Sequence, residues 1–299
     1  MRKQVLFILS LFLAINLHAE NKFVIEGRVA NVPDGLIVEL LRNEDNVGML
    51  VASDTLRNGK FRFEEETSGN GTDWMFLTAR TENYYSMILY LWVRPGSSIR
   101  ISADNLLVYT WNVESDVPEQ QTRSKILASS RDLWNEYQIL DGDYDSLRSR
   151  VKSGKYSGEE KKRQKARLDS MKQAKSMLQD RISAVELEAM AKLDVDQAWM
   201  LNYVNTAYMV NISKNKDNME KAKALYAYIP DVWRDSYSGR EAKNVLFPQH
   251  VVEVGEEAAD ADLYDIDGKL WHLSDFRGRY VLIDFWSRGC GRARWPFLR

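Results

Sequence analysis

A single cysteine, Cys290, stands in 299 residues. No internal disulfide can form, and that thiol is either free or joined to another molecule. The three histidines, His18, His250 and His272, lie far apart and fall in no metal-ligand spacing, so no metal site is expected. No Gly-x-Ser-x-Gly and no glycine-rich phosphate loop occurs, which removes the usual sequence marks of serine hydrolases and nucleotide-binding folds. Charge of one sign is also missing. With 41 basic and 43 acidic residues the formal net charge is −2, which gives no overall attraction to nucleic acid, and nothing resembles a nucleic-acid motif.

Only one long apolar run is present, and it opens the chain. Met1-Arg-Lys3 is a charged start, Val5 to Leu17 is apolar but short for a bilayer span, and Leu17-His-Ala19 offers a small residue for cleavage. This is the pattern of a secretory signal peptide cut after Ala19, with a single anchoring helix as the alternative. The expected destination is an oxidising compartment, the periplasm or cell envelope of a Gram-negative bacterium.

What is present divides into three stretches. From Phe23 to about Val117, short alternating runs are separated by turn signals: Phe23–Val29, Leu36–Leu41, Lys60–Phe63, Trp74–Leu77, Ser86–Val93 and Ser98–Ile101 have strand character, with Asn58-Gly59 and Pro95-Gly96 at tight turns. The prediction is an antiparallel β-sandwich without crossover helices. Its aromatics, Trp74, Tyr84, Tyr85, Tyr90, Trp92, Tyr109 and Trp111, are mostly explained by core and cross-strand packing, with a ligand groove as the alternative. Asn70-Gly-Thr72 and Asn211-Ile-Ser213 match the glycosylation triplet by chance.

From about Glu119 to Leu246 the spacing becomes helical. Ile126, Leu133, Tyr137 and Leu140 form one apolar stripe. A second helix is predicted from Ser157 to about Ala191, with Leu168, Met171, Met177, Leu178, Ile182, Val185 and Met190 buried or partly buried. Shorter helices are predicted over Gln197–Val210 and Asn218–Tyr228, broken before Asp231 by Pro230. The mixed charges of Glu159–Lys165 fit a solvated helix face, and the methionines fit core filling.

The third stretch carries the chemistry. Tyr280-Val-Leu-Ile-Asp-Phe-Trp286 is an apolar run with one acid, the pattern of a strand buried on both faces, and Cys290-Gly291 follows after a three-residue gap. A thiol placed at the start of a helix is favoured as the reactive thiolate. Upstream, Asp262–Lys269 has the pattern of strand and turn and Leu273–Gly278 that of a loop.

These residues resemble the active-site region of exported thioredoxin-like disulfide reductases close to the peroxiredoxin (AhpC/TSA) group, over roughly Val251 to Gly291. The first stretch resembles the DUF4369-type β-domain that often precedes such domains, and a helical insert between the two is usual for the family. The resemblance implies that Cys290 is the attacking thiol and that Asp284 is the buried acid that moves protons for a second, resolving cysteine. A hydrogen-bonded strand acid is the plainer alternative for Asp284. Partners implied are disulfide-containing envelope proteins and an upstream membrane reductase, with no cofactor.

The pattern departs from the family after Cys290. The series Cys290-Gly291-Arg292-Ala293 puts alanine at the resolving position, Gly289 stands where tryptophan is usual, and the sequence given stops at Arg299. One inserted C before the Arg292 codon permits Pro-Cys-Ala-Leu-Ala-Val-Pro in the shifted frame and restores Cys-Gly-Pro-Cys, so Arg292 to Arg299 read as out-of-frame residues.

The expected organisation is a signal peptide over 1–19, a β-sandwich over 20–118, a helical region over 119–247 and a truncated thioredoxin-like α/β domain over 248–299. The chain would attack a disulfide once and stay trapped. Two alternatives stand beside this: a non-catalytic envelope binding protein with a decayed thioredoxin remnant, and a peroxidase, for which Ser287 stands where a threonine is usual.

Overall fold

The computed structural model describes residues 21–284 apart from 45–46, 83 and 249–251. The expected signal peptide, His250 and the stretch from Phe285 through Cys290 to Arg299 lie outside the described residues. Among those described, no helix is long and apolar enough to cross a membrane. The chain divides into two compact units, the first ending at Leu246 and the second beginning at Phe247.

The first unit starts as two facing sheets. One has the order β4-β1-β8-β9, from β1 (Lys22–Val29), β4 (Lys60–Glu66), β8 (Ser98–Ala103) and β9 (Asn112–Glu114). The other has the order β3-β2-β5, from β2 (Ile37–Glu44), β3 (Val47–Thr55) and β5 (Asp73–Thr81), with β6 (Tyr84–Tyr85) and β7 (Leu89–Val93) both pairing β5. Strand alternation explains the core: Phe23, Ile25, Ile99 and Ile101 from the first sheet meet Val38, Leu40, Met75 and Leu77 from the second.

The predicted antiparallel sandwich is right for every pair but one. β1 and β8 run parallel, Val24 opposite Ser98 and Ile25 opposite Ile99. Parallel neighbours need a long connection, and the intervening strands, which build the second sheet and return as β4, supply it. The turn signals act as expected. Asn58 and Gly59 both have positive φ, 50° and 68°, which a tight hairpin between antiparallel runs requires. At Gly59 a Cβ would also lie 2.6 Å from the Val29 carbonyl oxygen, so glycine is needed there twice over.

The helical part comprises α1 (Pro118–Lys152), α2 (Gly158–Met190), α3 (Gln197–Ser213), α4 (Lys216–Tyr226), the single turn α5 (Asp231–Arg234) and α6 (Tyr237–Leu246). Capping follows local chemistry. Pro118 occupies the first turn of α1, Asp196 accepts the Trp199 N–H at the start of α3, and Asn215 accepts the Asn218 N–H at the start of α4. Trp199 and Tyr203 stack at 5.0 Å in the core of this part. Met177, expected in the apolar stripe of α2, is instead 67% exposed, because the row of Leu178, Ile182 and Met190 faces the neighbouring helices and Met177 falls outside it.

The sandwich and the helices are one packed body. Trp92 of β7, Val117 ahead of α1 and Ala198 of α3 form a shared apolar cluster. Gln120 Oε1 accepts the Trp92 backbone N–H at 2.9 Å, and Gln138 Oε1 accepts that of Tyr109 at 3.1 Å. Arg94 clamps both carboxylate oxygens of Glu119 at 2.8 Å. Helix α1 thus satisfies two backbone N–H groups, at Trp92 and Tyr109, that would otherwise be buried unpaired.

The second unit is sparse by comparison. Its described residues form a two-residue hairpin, β10 (Leu263–Tyr264) with β11 (Leu270–Trp271), and a short 3-10 turn at Leu273–Phe276. The predicted strand over Tyr280–Trp286 is not seen in its described part: residues 280–284 have no regular structure and all are exposed. A doubly buried strand needs a partner on each edge and cover on each face, and no described residue pairs with this run.

Candidate functional site

The two residues singled out for chemistry are not brought together among the described residues. Cys290 lies outside them. Asp284 is exposed and in irregular chain, where burial had been expected. Ahead of it, the hairpin at 263–271 and the 3-10 turn at 273–276 fall where strand, turn and loop were predicted.

The most constructed polar environment of the described chain is elsewhere, in a half-open pocket of about 220 Å³ lined by β7, α1, α2, α3 and the 3-10 turn Val108–Thr110. Its key residues share a logic visible on α1, where Gln120, Arg123, Leu127, Ser130, Trp134 and Tyr137 recur at alternating three- and four-residue steps. That row faces the rest of the unit, yet three of its six members are polar. On α2, Glu186 continues the four-residue row of Leu178, Ile182 and Met190. Arg123 and Glu186 are therefore carried inward by the apolar periodicity of their helices, to 3% and 5% exposure.

Arg123 is held on three sides. Its Nη1 donates to Asn202 Oδ1 at 2.7 Å. Asn202 is fixed in that orientation, because its own Nδ2 donates to the Ala198 carbonyl at 2.7 Å. The guanidinium carbon lies 5.6 Å from the Tyr90 ring centre and 5.1 Å from that of Tyr109, within reach of cation–π attraction. Its Nε and Nη2 are sealed from water and have no hydrogen-bond partner.

Glu186 Oε1 accepts from Ser130 Oγ and from Trp134 Nε1, both at 2.7 Å. Desolvation raises its pKa above the ordinary carboxylate value, against the opposing pull of Arg123 and these two donors. Burial likewise pushes the Tyr109 hydroxyl up to about 12. For Arg123, desolvation works against the charge, but the fields of Tyr109 and Glu186 outweigh it and its pKa is raised. Arg123 and Glu186 influence one another in this way without forming an ion pair. The pocket thus has one fixed cation and one acid in its lining at separate points, together with the rings of Tyr90, Tyr109 and Trp134, and an exposed rim at Asn205 and Met209.

Of the aromatics weighed for a ligand groove, Tyr90 and Tyr109 line this cavity, whereas Trp111 belongs to the sandwich core and Trp92 to the joint with the helices. Arg123, Glu186 and Asn202 were missed. The signal that finds them is a charged or amide residue continuing an apolar helical row. Among the described residues, no three His, Cys, Asp or Glu side chains gather as a metal would need.

No protein family matches the chain, and neither does any curated protein or solved structure.

Proposed function

We propose that this chain derives from an exported thioredoxin-like thiol–disulfide oxidoreductase of the cell envelope, with Cys290 as its attacking thiol. The observation that carries the proposal is the run Val281-Leu-Ile-Asp-Phe-Trp286 followed by Cys290-Gly291. The hairpin and turn that precede the run, in the order expected for such a domain, support it. In the proposed step the Cys290 thiolate attacks one sulfur of a substrate disulfide. A new S–S bond forms, the old one breaks, and the displaced sulfur leaves as a thiolate that takes a proton from water. Ala293 supplies no second thiol, so the mixed disulfide persists until an external thiol releases it. Asp284 keeps its proposed role only in a state where it is covered.

The test is the pH profile of Cys290 alkylation by iodoacetamide. An apparent midpoint clearly below the ~8.5 of a free cysteine supports an activated thiol. A midpoint at or above that value ends the proposal, and a Cys290→Ser chain, which must not react, serves as the blank.

The second reading, an envelope binding protein whose C-terminal segment does no chemistry, is favoured by one specific observation: the pocket lined by Arg123 and Glu186, which owes nothing to Cys290.

A further inference from the structure

The outer face of the β4-β1-β8-β9 sheet is a ladder of charges. Phe23, Ile25, Phe61, Phe63 and Ile101 point into the core, so strand alternation turns the charged residues between them outward. Cross-strand neighbours on this face are mostly of opposite sign. Lys22 lies opposite Glu66, Glu26 opposite both Arg62 and Arg100, and Arg100 opposite Glu114. Ion pairs follow from that register, Arg62 with Glu26 at 3.6 Å and with Glu64 at 2.9 Å, Lys22 with Glu64 at 3.3 Å, and Arg100 with Glu114 at 3.6 Å.

The rung at the end of the face breaks this rule. Arg28 of β1 lies directly opposite Lys60 of β4. Lys60 in turn lies opposite Arg57 across the Asn58-Gly59 turn, the two exchanging backbone hydrogen bonds at 3.0 and 3.1 Å. Beyond Arg28 the rung continues as Ser102 of β8 and Asn112 of β9. Residues directly opposite share a face, so three cations, a hydroxyl and a carboxamide stand in line with no carboxylate among them. Arg28, Arg57, Lys60 and Ser102 are exposed, and among the described residues none of the three cations has an ion pair. Like charges held opposite one another cost stability, and the rest of the face avoids that arrangement.

The shape of the surface singles out the same three cations. An open depression crosses β1, β4 and the end of β3, and its charged lining is Arg28, Arg57, Lys60, Arg62, Glu26 and Asp54. Glu26 and Arg62 are paired with one another. Asp54 is spent on the backbone, where it accepts the N–H groups of Thr55 at 2.8 Å and Arg62 at 2.9 Å. The positive charge left over belongs to Arg28, Arg57 and Lys60. In the loops that follow β1 and β8, Asp34 accepts the Gly59 N–H at 3.4 Å and Asp104 the Asn105 amide at 2.8 Å, and neither pairs with the three.

Neighbouring strands lie about 4.8 Å apart, so the three cations span roughly 10 Å. A metal ion or an amine is repelled from such a row. A carboxylate has two oxygens and one charge, enough for a single guanidinium. A phosphate group carries nearly two charges on oxygens that point in several directions, so it can meet the fork of one arginine and the ammonium of its neighbour together.

We propose that the rung Arg57, Lys60 and Arg28 is a binding site for phosphate groups, with the Ser102 hydroxyl as a further donor beside Arg28. The site is independent of Cys290 and of the pocket lined by Arg123.

Two arms of one experiment separate the sources of such a group. In the first, the purified full chain is titrated calorimetrically with pyrophosphate and with acetate at about 20 mM salt, where exposed charges are little screened. In the second, it is sedimented with vesicles of phosphatidylglycerol or of phosphatidylcholine in the same buffer. Pyrophosphate binding with Kd below about 1 mM assigns the site to free phosphate compounds. Capture by phosphatidylglycerol and not by phosphatidylcholine assigns it to lipid headgroups. With either source, Arg28→Gln and Lys60→Gln should each weaken binding about fivefold. Arg148→Gln removes a cation of α1 that is paired with Asp145 and should leave binding unchanged. The thermal midpoint of Lys60→Gln should stay in place or rise, because a like-charge contact is relieved, which separates lost binding from lost folding. The proposal is overturned if neither pyrophosphate nor phosphatidylglycerol binds, if acetate binds as tightly as pyrophosphate, or if both kinds of vesicle capture the chain equally. It is overturned as well if the two variants in the rung weaken binding no more than Arg148→Gln does, since only the general charge of the protein would then be at work.

Discussion

Two regions of one chain, residues 21–246 and 252–284, are both supplied with apolar residues and put them to opposite ends. In the first, strand alternation and helix periodicity aim Phe23, Leu40, Trp199 and Tyr203 at surfaces that other elements cover, and all four are fully or almost fully buried. In the second, no described residue is buried, and Ile266, Tyr280 and Leu282 are as open to solvent as residues of an extended chain. Apolar content is therefore not what makes a core. Burial needs a second surface facing the first, and a run such as Tyr280–Ile283 contributes stability only where strands or helices cover it.

The comparison breaks most easily at matched positions, and the largest expected effect lies there. Trp199→Ala removes a ring stacked on Tyr203 together with its N–H bond to the Met190 carbonyl, and should cost about 3–5 kcal/mol in urea unfolding. Leu282→Ala removes a smaller, aliphatic group that is exposed to solvent and should change stability by no more than about 0.5 kcal/mol. A loss above about 1 kcal/mol on Leu282→Ala would mean that the second region is covered after all.

A smaller effect sharpens the comparison from inside the first region. Gln120→Leu strands the buried Trp92 N–H without its acceptor and should cost about 1–3 kcal/mol. If the sandwich and helices are one cooperative body, a strand probe and a helix probe must shift together through a single transition. Two separated transitions, with only one displaced, would divide the unit at the β9–α1 joint.

How far this was legible in the sequence depended on whether the signal was local. Helix α2 is found at Gly158–Met190 against a prediction of Ser157 to about Ala191, because a long 3.6-residue period averages over many positions. The Asn58-Gly59 turn was equally plain, since few residue pairs tolerate two positive φ values. Strand β3 was missed. It lies at a sheet edge beside a register shift at Leu40/Leu41, so Met49 and Leu50 are both exposed and the two-residue alternation that marks a strand is lost. The cavity had no local signature at all. Tyr90, Arg123, Glu186 and Asn202 come from four separate elements, and only the packing of a sheet edge against three helices brings them together. What the sequence did offer was a charged residue inside an apolar row, at Arg123 and again at Glu186. That is a mark of burial with a partner, and it says nothing about which partner.

The smallest effect concerns what order the second region does possess, and it depends on pH. Asp265 closes the β10–β11 hairpin: Oδ1 accepts the N–H groups of Asp267 at 3.0 Å and Lys269 at 2.9 Å, and Oδ2 accepts Trp271 Nε1 at 3.0 Å. The indole N–H first, and the Lys269 backbone next, hold its carboxyl below the ordinary aspartate value. A depressed pKa in the ordered state means that the contribution is present above the pKa of the free side chain, roughly 4, and disappears as pH falls through the lower value. The Trp271 indole proton resonance should therefore move toward its solvent-exposed position on acidification below about pH 4. In Asp265→Asn that movement should be largely absent, because the side chain no longer titrates. The global unfolding midpoint of the variant at neutral pH should stay in place, since the hairpin contributes no residue to a buried core. An unchanged Trp271 signal down to about pH 2 would show that the indole contact does not depend on the carboxylate charge. A fall in the global midpoint would show that the two regions share stability, contrary to the contrast in burial between them.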